Sequence, residues 1–367
     1  MIESSRVVTA RRGLFLTLAA LTLACSGFAI AQTPVTPALK QLAAAADKEG
    51  VLLLTWSAGT MGGAAGARVF EESINKAYGT KLRIRWVPGP AMPNVGQQIA
   101  MRAGSALSSP TDVYMGFSRN MAQLLKHDLF LSAGWREYNP DRLTDAVVER
   151  NTFVKVVSAT LGWTYNTKLA PSRPEKLEDF LKPEWKGKVA TTSFASGFDQ
   201  IGAKDAWGLQ RTVKFAQGFS QNVAGFMRCN EMERLTTGEF VALVTDCSGD
   251  SAQEAIKRGA PLARVLAPDV PLISFFYFAV PKNAEHPNAG KLFTAFAASR
   301  EGQAIIRDQT SGDLHLYPES DTGKEVKAVE VKHKFQFKHA DIGWQTVNDE
   351  GNNSQQQVEK ILRRDGK

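Results

Sequence analysis

Residues 51–56, VLLLTW, form a continuous apolar run that fits a β-strand buried on both faces. A helix is predicted just before it, because Thr36–Pro37 supplies an N-cap followed by proline and Gly50 ends the helix. Beyond the strand, apolar residues recur at helical spacing from Val69 to Ala77, and apolar and basic residues alternate over 82–86. This order predicts an α/β fold, a parallel sheet with crossover helices.

The alternation of strands and helices continues to about residue 307. Further strands are predicted over 112–117, 154–163, 188–192, 240–245, 263–266 and 272–281, and further helices over 94–103, 120–126, 204–217, 251–258, 288–298 and 302–307. We find no internal repeat and no low-complexity linker. Two α/β blocks without a flexible linker predict two lobes joined by strands, with a ligand cleft between them.

Composition narrows the class of protein. The chain has 367 residues, 43% of them hydrophobic and only 3 of them cysteine, which excludes a disordered chain, a collagen-like repeat and a disulfide scaffold. The formal net charge of +7 is compatible with nucleic acid, an anionic membrane surface or an anionic ligand. The position of the charge therefore matters more than its size.

The N-terminus has the pattern of a secretory signal peptide, which we predict over residues 1–31. Small residues at positions 29 and 31 provide a cleavage site, and the apolar run at 13–24 is too short to cross a bilayer. Three arginines precede the run: Arg6, Arg11 and Arg12. Their removal, with one glutamate, leaves the mature chain at +5 without a dense basic patch, so a nucleic-acid partner is not expected.

Export predicts a periplasmic protein by more than one possible route. The Arg11–Arg12 pair leaves the twin-arginine pathway open beside the general one, and Cys25 leaves a lipid anchor open. The mature chain keeps two cysteines, Cys229 and Cys247. In an oxidising compartment this pair predicts a disulfide, and two buried free thiols are the alternative.

Searches for catalytic and cofactor motifs find none. The sequence has no nucleophile elbow, zinc-protease helix, redox Cys pair, phosphate loop or dinucleotide fingerprint. Residues 59–66 are rich in glycine but lack the lysine of a phosphate loop, and five histidines lie apart, as expected of surface residues. We therefore predict no enzyme activity, no cofactor and no metal site.

Short loops rich in Ser, Thr and Gly stand where predicted strands end and helices begin. They lie at 57–60, 116–119, 191–193 and 247–250. Helix N-termini present unpaired N–H groups and partial positive charge, so such loops can seat a carboxylate or phosphate. Each serine is also an ordinary N-cap candidate, and both interpretations stay open. Four such loops in two blocks favour one shared ligand cleft.

Several motifs between residues 165 and 303 form a recognisable set. The most specific is Tyr165–Asn166–Thr167 followed by LEDFLKPEWKGKV at 177–189. Further motifs are TGE at 237–239, AVPKNA at 279–284 and SREGQ at 299–303. Together they resemble extracellular solute-binding proteins of ABC importers, in the branch that includes ferric-iron-binding proteins. The resemblance covers roughly residues 51–306, and the remaining C-terminal residues carry no motif we can place.

The resemblance implies a type II periplasmic-binding-protein fold that closes over one solute and presents it to an inner-membrane ABC permease. The lobes expected are an N-terminal lobe of 32–157 and 270–310 and a C-terminal lobe of 158–269. Residues 311–367 would pack on the lobes, and the protein would be a monomer. In the ferric branch adjacent tyrosines bind the metal. The matching positions here are Asp246–Cys247–Ser248, so a ferric ligand is the alternative to our main hypothesis.

The main hypothesis is a small anionic organic solute, held by loop N–H groups with Arg119 or Arg228 as countercharge. Both arginines can also be solvated surface residues. The candidate ligand-binding residues are Ser57, Ala58, Gly59, Thr60, Ser118, Arg119, Tyr165, Thr192, Ser193, Phe194, Arg228 and Ser248. Trp56 and Phe117 are further candidates for an aromatic wall.

Two other classes remain open from the sequence. An enzyme on a related two-lobe architecture, such as a porphobilinogen-deaminase-like fold, would need either an acid-base pair or a cysteine that bears a cofactor, and a covalent adduct at Cys229 or Cys247 would favour it. A ligand-sensing accessory protein of a two-component system would bind the same solute but dock on a receptor.

Overall fold

The fold is described from a computed structural model that covers residues 35–348 and 353–364. The predicted signal peptide lies outside the described residues. The helices are α1 (Pro37–Glu49), α2 (Gly63–Tyr78), α3 (Met92–Gly104), α4 (Ser118–Leu124), α5 (Trp135–Tyr138), α6 (Phe198–Ile201), α7 (Gly208–Ser220), α8 (Met232–Thr236), α9 (Asp250–Lys257), α10 (Pro287–Ala297), α11 (Arg300–Thr310), α12 (Asp321–His333), α13 (Ile342–Asn348) and α14 (Ser354–Arg364). The strands are β1 (Val51–Ser57), β2 (Arg83–Gly89), β3 (Tyr114–Phe117), β4 (Val148–Glu149), β5 (Phe153–Thr160), β6 (Gly162–Asn166), β7 (Val189–Thr191), β8 (Val223–Phe226), β9 (Ala242–Val244), β10 (Leu262–Leu266), β11 (Leu272–Ala279) and β12 (Lys338–Ala340).

The N-terminal helix and strand form where the sequence predicts them. The Thr36 hydroxyl accepts a hydrogen bond from the Leu39 amide, and Gly50 ends α1 with a φ of 71°. Strand β1 differs from the prediction because only alternate residues are fully buried. It pairs with β2 in a two-stranded parallel sheet, so one face of the strand packs on the core and the other stays partly exposed.

The predicted parallel sheet is found for β1 and β2, but the two larger sheets are mixed. In the first, β11 pairs antiparallel with both β3 and β5. In the second, β6 pairs antiparallel with β9 and β10, while β7 is parallel to β8 and β9. Antiparallel pairs arise here because the chain passes directly from one sheet into the other, without a crossover helix.

The chain passes between the two large sheets at two neighbouring places. Leu161 alone separates β5 of the first sheet from β6 of the second, and residues 267–271 connect β10 back to β11. The Ala267 amide donates a hydrogen bond to the Leu161 carbonyl at 2.9 Å. The two crossing segments are therefore tied to each other by their backbones.

Each sheet has its own aromatic core. Beside the first sheet, Trp56 stacks on Phe278 with ring centroids 5.3 Å apart. Beside the second, Phe180 contacts Trp163 and Trp185, with centroids 5.7 and 4.9 Å away. Such rings bury about 150–250 Å² each, so these clusters dominate the hydrophobic stabilisation.

Residues beyond 311, which have no sequence motif, are part of these same layers. Strand β12 extends the first sheet by pairing in parallel with β11. Helix α14 packs against α7, and Val358 and Leu362 are buried in the second core. The C-terminal segment is therefore anchored to both large sheets.

Candidate functional site

A cavity of about 510 Å³ lies where helix starts and loops from both large sheets meet. The start of α4 contributes Arg119, the loop before α6 contributes Phe194, and α6 itself contributes Asp199 and Gln200. The loop after β9 adds residues 245–248, and α14 adds Gln355 and Gln356. The lining thus combines three aromatic rings, many amide side chains and few charges, as expected of a small-molecule site.

Arg119 is the cation of this cavity. Its guanidinium donates a hydrogen bond to Gln355 Oε1 at 2.9 Å and lies 3.7 Å from the Asp199 carboxylate. The Arg119 side chain is 17% exposed, which leaves part of it reachable from the cavity. A guanidinium in this setting can form two parallel bonds to a carboxylate.

Aromatic rings form the apolar part of the lining. Phe117 and Phe276 meet edge to face with centroids 5.2 Å apart, and Phe194 is 46% exposed. The register between β11 and β5 shifts between Phe276 and Tyr277, so β11 is irregular where the Phe276 side chain lines the cavity. Bulges of this kind are common beside binding sites, where they redirect a side chain.

The loop after β9 has an unusual backbone. Thr245, Cys247 and Ser248 have positive φ values of 60°, 55° and 81°. A left-handed conformation costs of order 1–3 kcal/mol for a residue other than glycine and is typical of ligand-binding loops. The surrounding structure must therefore hold this loop in place.

Two contacts hold the middle of this loop. A disulfide joins Cys247 to Cys229, as the sequence predicts. Between the strained residues, Asp246 is fully buried and pairs with Arg264 through bonds of 2.9 and 3.3 Å. Burial alone would lower the pKa of Arg264, but the carboxylates of Asp246 and Glu325 raise it, so Arg264 stays charged.

A second cavity, of about 270 Å³, shares Phe276 with the larger one. Gly59 and Thr60 line it together with three methionines: Met61, Met92 and Met115. Asp250, at the start of α9, also lines it. Burial, helped by nearby Asp246 and Asp313, raises the pKa of Asp250 to about 7, although Arg264 opposes the shift.

The predicted loops do stand at strand ends and helix starts, but their residues do not all line one cavity. Arg119, Phe194 and Ser248 line the larger cavity. Gly59 and Thr60 line the smaller one. Ser57 bonds to the Thr60 hydroxyl at 2.8 Å, and the adjacent Ala58 is exposed.

Three other candidates have structural partners that account for them. The hydroxyl of Ser118, the first residue of α4, is buried; it donates to the Phe275 carbonyl and accepts a bond from the Phe275 amide. Tyr165 is buried in β6 within the second core. Trp56, a further aromatic candidate, is also a core residue whose indole donates to the Val113 carbonyl.

The remaining candidates lie beside the cavity or away from it. Buried Thr192 accepts a bond from the Ser196 amide and shapes the loop that carries Phe194. Ser193 is exposed, and its carbonyl accepts a bond from Arg363. Arg228 is exposed, and its amide donates to Glu231. The structure therefore brings Arg119 to the cavity and leaves Arg228 on the surface.

Sequence reasoning missed Asp199, Gln200 and Gln355. The first two lie in α6, which follows the predicted 191–193 loop. The N-cap of α6 is Gly197, which has a φ of 77°. A Cβ at Gly197 would lie 2.5 Å from the Leu161 side chain, so the glycine lets the loop approach the crossing segment. Gln355 belongs to a segment without any local signal.

Across residues 35–348 and 353–364, no three His, Cys, Asp or Glu side chains cluster in a way that would hold a metal ion. Within those same ranges, no helix has the length and apolar character required to span a bilayer. The five histidines are not all surface residues, because His315 is partly buried and its Nδ1 lies 2.6 Å from the Ser158 hydroxyl.

Comparison with known proteins identifies the class. Residues 108–346 match the family model described as bacterial extracellular solute-binding protein. The chain belongs to this family, as the sequence motifs indicated. No curated protein matches the sequence significantly.

Solved structures share the fold. The substrate-binding protein of an ABC transporter from Agrobacterium tumefaciens is 16% identical, with a TM-score of 0.68 over 85% of this chain and 94% of that one. AgtB from A. tumefaciens R10 in complex with agropinic acid is 17% identical, with a TM-score of 0.64 over 86% and 99%. Iron-bound HitA from Pseudomonas aeruginosa is 18% identical, with a TM-score of 0.59 over 86% and 100%. These likenesses confirm the predicted periplasmic-binding-protein fold.

Proposed function

We propose that the protein captures a small anionic organic solute in the periplasm and delivers it to an inner-membrane ABC permease. The observation that carries the proposal is Arg119, a partly accessible guanidinium in a cavity that also has aromatic walls. A carboxylate bound to Arg119, with its carbon skeleton against Phe117, Phe194 or Phe276, would bury both parts of such a solute.

Lobe closure would give this site its selectivity. The lobes we propose are 32–157 with 270–310, and 158–269. The paired crossing segments at Leu161 and Ala267 would act as the hinge. Arg119 belongs to the first proposed lobe and Asp199 to the second. A ligand that contacts both residues would therefore favour the closed form over the open one.

The proposal requires binding without chemistry. The larger cavity contains the disulfide-bonded Cys247 and carboxylates already close to arginines, as Asp246 is to Arg264. In the transport role, the protein would be exported by its signal peptide, act as a monomer and leave the permease after it delivers the solute. A ligand-sensing accessory protein would use the same cavity, but it would bind a receptor instead of a permease.

Ferric iron is the second candidate, because iron-bound HitA shares the fold. Hard Fe³⁺ prefers phenolate and carboxylate oxygens. The lining of the larger cavity includes Asp199 and Asp246 but no tyrosine among the described residues. Asp246 is already bonded to Arg264 and Thr164, so the donor set favours the organic solute.

A thermal-shift panel on residues 32–367 tests the proposal. It compares organic acids, organic phosphates, amino acids, polyamines, sugars and ferric iron. A ligand at one hundred times its dissociation constant stabilises the folded state by about 2.7 kcal/mol, which raises the melting temperature by several degrees. Strongest stabilisation by a polyamine, a neutral sugar or ferric iron would contradict an anionic ligand, and conversion of the bound compound would contradict a binding protein.

A further inference from the structure

We propose that His315 and His339 form a binding site for one divalent transition-metal ion, such as Zn²⁺, Ni²⁺ or Cu²⁺, apart from the solute cavity. His315 lies in the loop between α11 and α12, and His339 lies on β12. Neither histidine lines the larger or the smaller cavity. The site therefore goes beyond the proposed function and does not depend on it.

The first observation is the distance between two ring nitrogens. The Nε2 atoms of His315 and His339 lie 3.2 Å apart. Imidazole nitrogens bind Zn²⁺ at about 2.0–2.1 Å, so two of them at a tetrahedral angle are about 3.3–3.4 Å apart. Without an ion, one ring donates a hydrogen bond to the other. The two nitrogens thus already have nearly the separation that one shared ion requires.

The second observation is that the protein holds both rings in place. His339 belongs to β12, which pairs with β11 through Ile273. The ring of Phe275 stacks on His315 with centroids 5.7 Å apart and meets His339 edge to face at 5.3 Å. The His315 amide donates a hydrogen bond to Ser158 Oγ at 2.9 Å. An ion that binds here would therefore have little side-chain motion to arrest.

The chemistry of the two rings suits a pair of ligands. Burial, with a smaller effect of Lys155, lowers the pKa of both histidines, so both are neutral near pH 7, as metal ligands must be. Both Nε2 lone pairs are available when each ring carries its hydrogen on Nδ1. For His315 an acceptor for that hydrogen is present, because Ser158 Oγ lies 2.6 Å from Nδ1. Hydrogen bonds of this kind orient metal-bound histidines.

The surrounding charges do not exclude a cation. The Lys155 ammonium opposes positive charge on the pair, whereas the carboxylates of Asp313, Glu330 and Asp341 favour it. Lys155 Nζ itself lies 4.0 Å from Asp341 Oδ2. Imidazole nitrogens suit Zn²⁺, Ni²⁺ and Cu²⁺, while Mg²⁺ and Ca²⁺ prefer oxygen ligands. The nitrogen ligands therefore decide which class of ion binds.

Water would complete the coordination of the ion. Across the part of the chain that the structure describes, no third His, Cys, Asp or Glu joins the pair. His339 is exposed, so solvent reaches the site from that side. A bound ion would join the loop after α11 to β12, and it would fasten the C-terminal segment to the first large sheet.

Calorimetric titration of Zn²⁺, Ni²⁺ and Cu²⁺ into untagged, metal-free residues 32–367 tests the site. We expect one ion per chain, with Cu²⁺ bound most tightly and no binding of Mg²⁺ or Ca²⁺. H315N and H339N should each weaken binding about tenfold or more. The matched controls H333N and H127N change exposed histidines, one of them in the last turn of α12, and should bind as the wild type does.

Electron paramagnetic resonance of the Cu²⁺-loaded protein gives a second readout, with two nitrogen ligands expected in the wild type and one in H339N. Absence of transition-metal binding at millimolar concentration would show that the proposal is wrong. The same conclusion follows if H315N and H339N fold, as judged by circular dichroism, and bind as tightly as the wild type, or if H333N weakens binding as much as they do. None of these outcomes bears on the solute cavity, so the two proposals can fail separately.

Discussion

The side-chain carbonyl of Gln355 accepts a hydrogen bond from Arg119 at 2.9 Å. On its other side, the Gln355 amide donates to the Phe194 carbonyl at 2.7 Å. One residue of α14 therefore links the cation of the cavity to the loop that faces it. The helix itself is held by buried Ser354, Val358 and Leu362.

Arg119 should be the arginine that binds the solute. Replacement by alanine removes the only positive side chain among the described lining residues. A hydrogen bond to a charged group contributes about 1.5–3 kcal/mol, so we expect affinity for the anionic ligand found in the thermal-shift panel to fall ten- to a hundredfold. Isothermal titration of R119A measures the change.

The matched control is R228A, because Arg228 is exposed and its amide bonds to Glu231. We expect wild-type affinity and wild-type stability for this variant. An equal loss in both variants would mean that the protein attracts the ligand by overall charge, and that the cavity is not the site.

A carboxylate placed on α14 should compete with the ligand. In Q355E the new side chain keeps its length, carries a negative charge beside Arg119 and loses the bond that the Gln355 amide donates to Phe194. Because a charge-assisted bond is about twice as strong as a neutral one, Arg119 would be occupied and affinity should fall about tenfold. Gln357 bonds to Asn353 instead, so Q357E should bind as the wild type does. Unchanged affinity in Q355E would show that α14 leaves the cavity when ligand enters.

Much of the local structure, but less of its assembly, can be predicted from the sequence. The start of α1 at Thr36–Pro37 and its end at Gly50 depend on neighbouring residues, so they are readable. The antiparallel pairing of Tyr277 with Lys155 and Gly116 joins residues far apart in sequence, and strand periodicity carries no information about direction.

The same limit applies to the site. Arg119 and Ser248 follow strand ends, so the sequence pattern predicts them as site residues. Ser118 follows one too, but its hydroxyl turns to the backbone of Phe275. Gln355 reaches the cavity only because Val358 and Leu362 dock α14 on the second core, and that docking depends on tertiary contacts alone.

Reduction of the disulfide between Cys229 and Cys247 should destabilise the protein. The bridge closes a loop with a sequence separation of 18, and loop-closure entropy makes its loss cost about 3 kcal/mol. The adjacent residues 247 and 248, with positive φ, would lose their anchor, so ligand affinity should fall as well. Thermal unfolding with and without reductant measures the first effect. The C229S/C247S double variant is the control, because a reductant should leave it unchanged.

Acid should destabilise the protein partly through His315. Burial, together with nearby His339 and Lys155, lowers the pKa of His315 from 6.5 to about 3. Between these values the unfolded chain binds a proton that the folded protein does not, so stability falls as the pH decreases. From pH 6.5 to pH 5 the contribution is about 2 kcal/mol.

Urea unfolding of wild type and H315N at these two pH values isolates this contribution. The wild type should lose more stability than H315N, because asparagine has no proton to gain. Asp250 acts in the opposite sense, because its raised pKa favours the folded state as the pH falls toward 4, but it is present in both proteins. H127N changes an exposed histidine and should follow the wild type. If wild type and H315N lose the same unfolding free energy between the two pH values, groups other than His315 cause the acid sensitivity.

Phe276 lines both cavities from the irregular part of β11. Its side chain therefore belongs to the walls of both cavities, one lined by Arg119 and several amide side chains and the other by three methionines. A smaller residue at position 276 would change the volume of both cavities in one mutational step while leaving Arg119 in place. Ligand length could then evolve separately from the recognition of charge at Arg119.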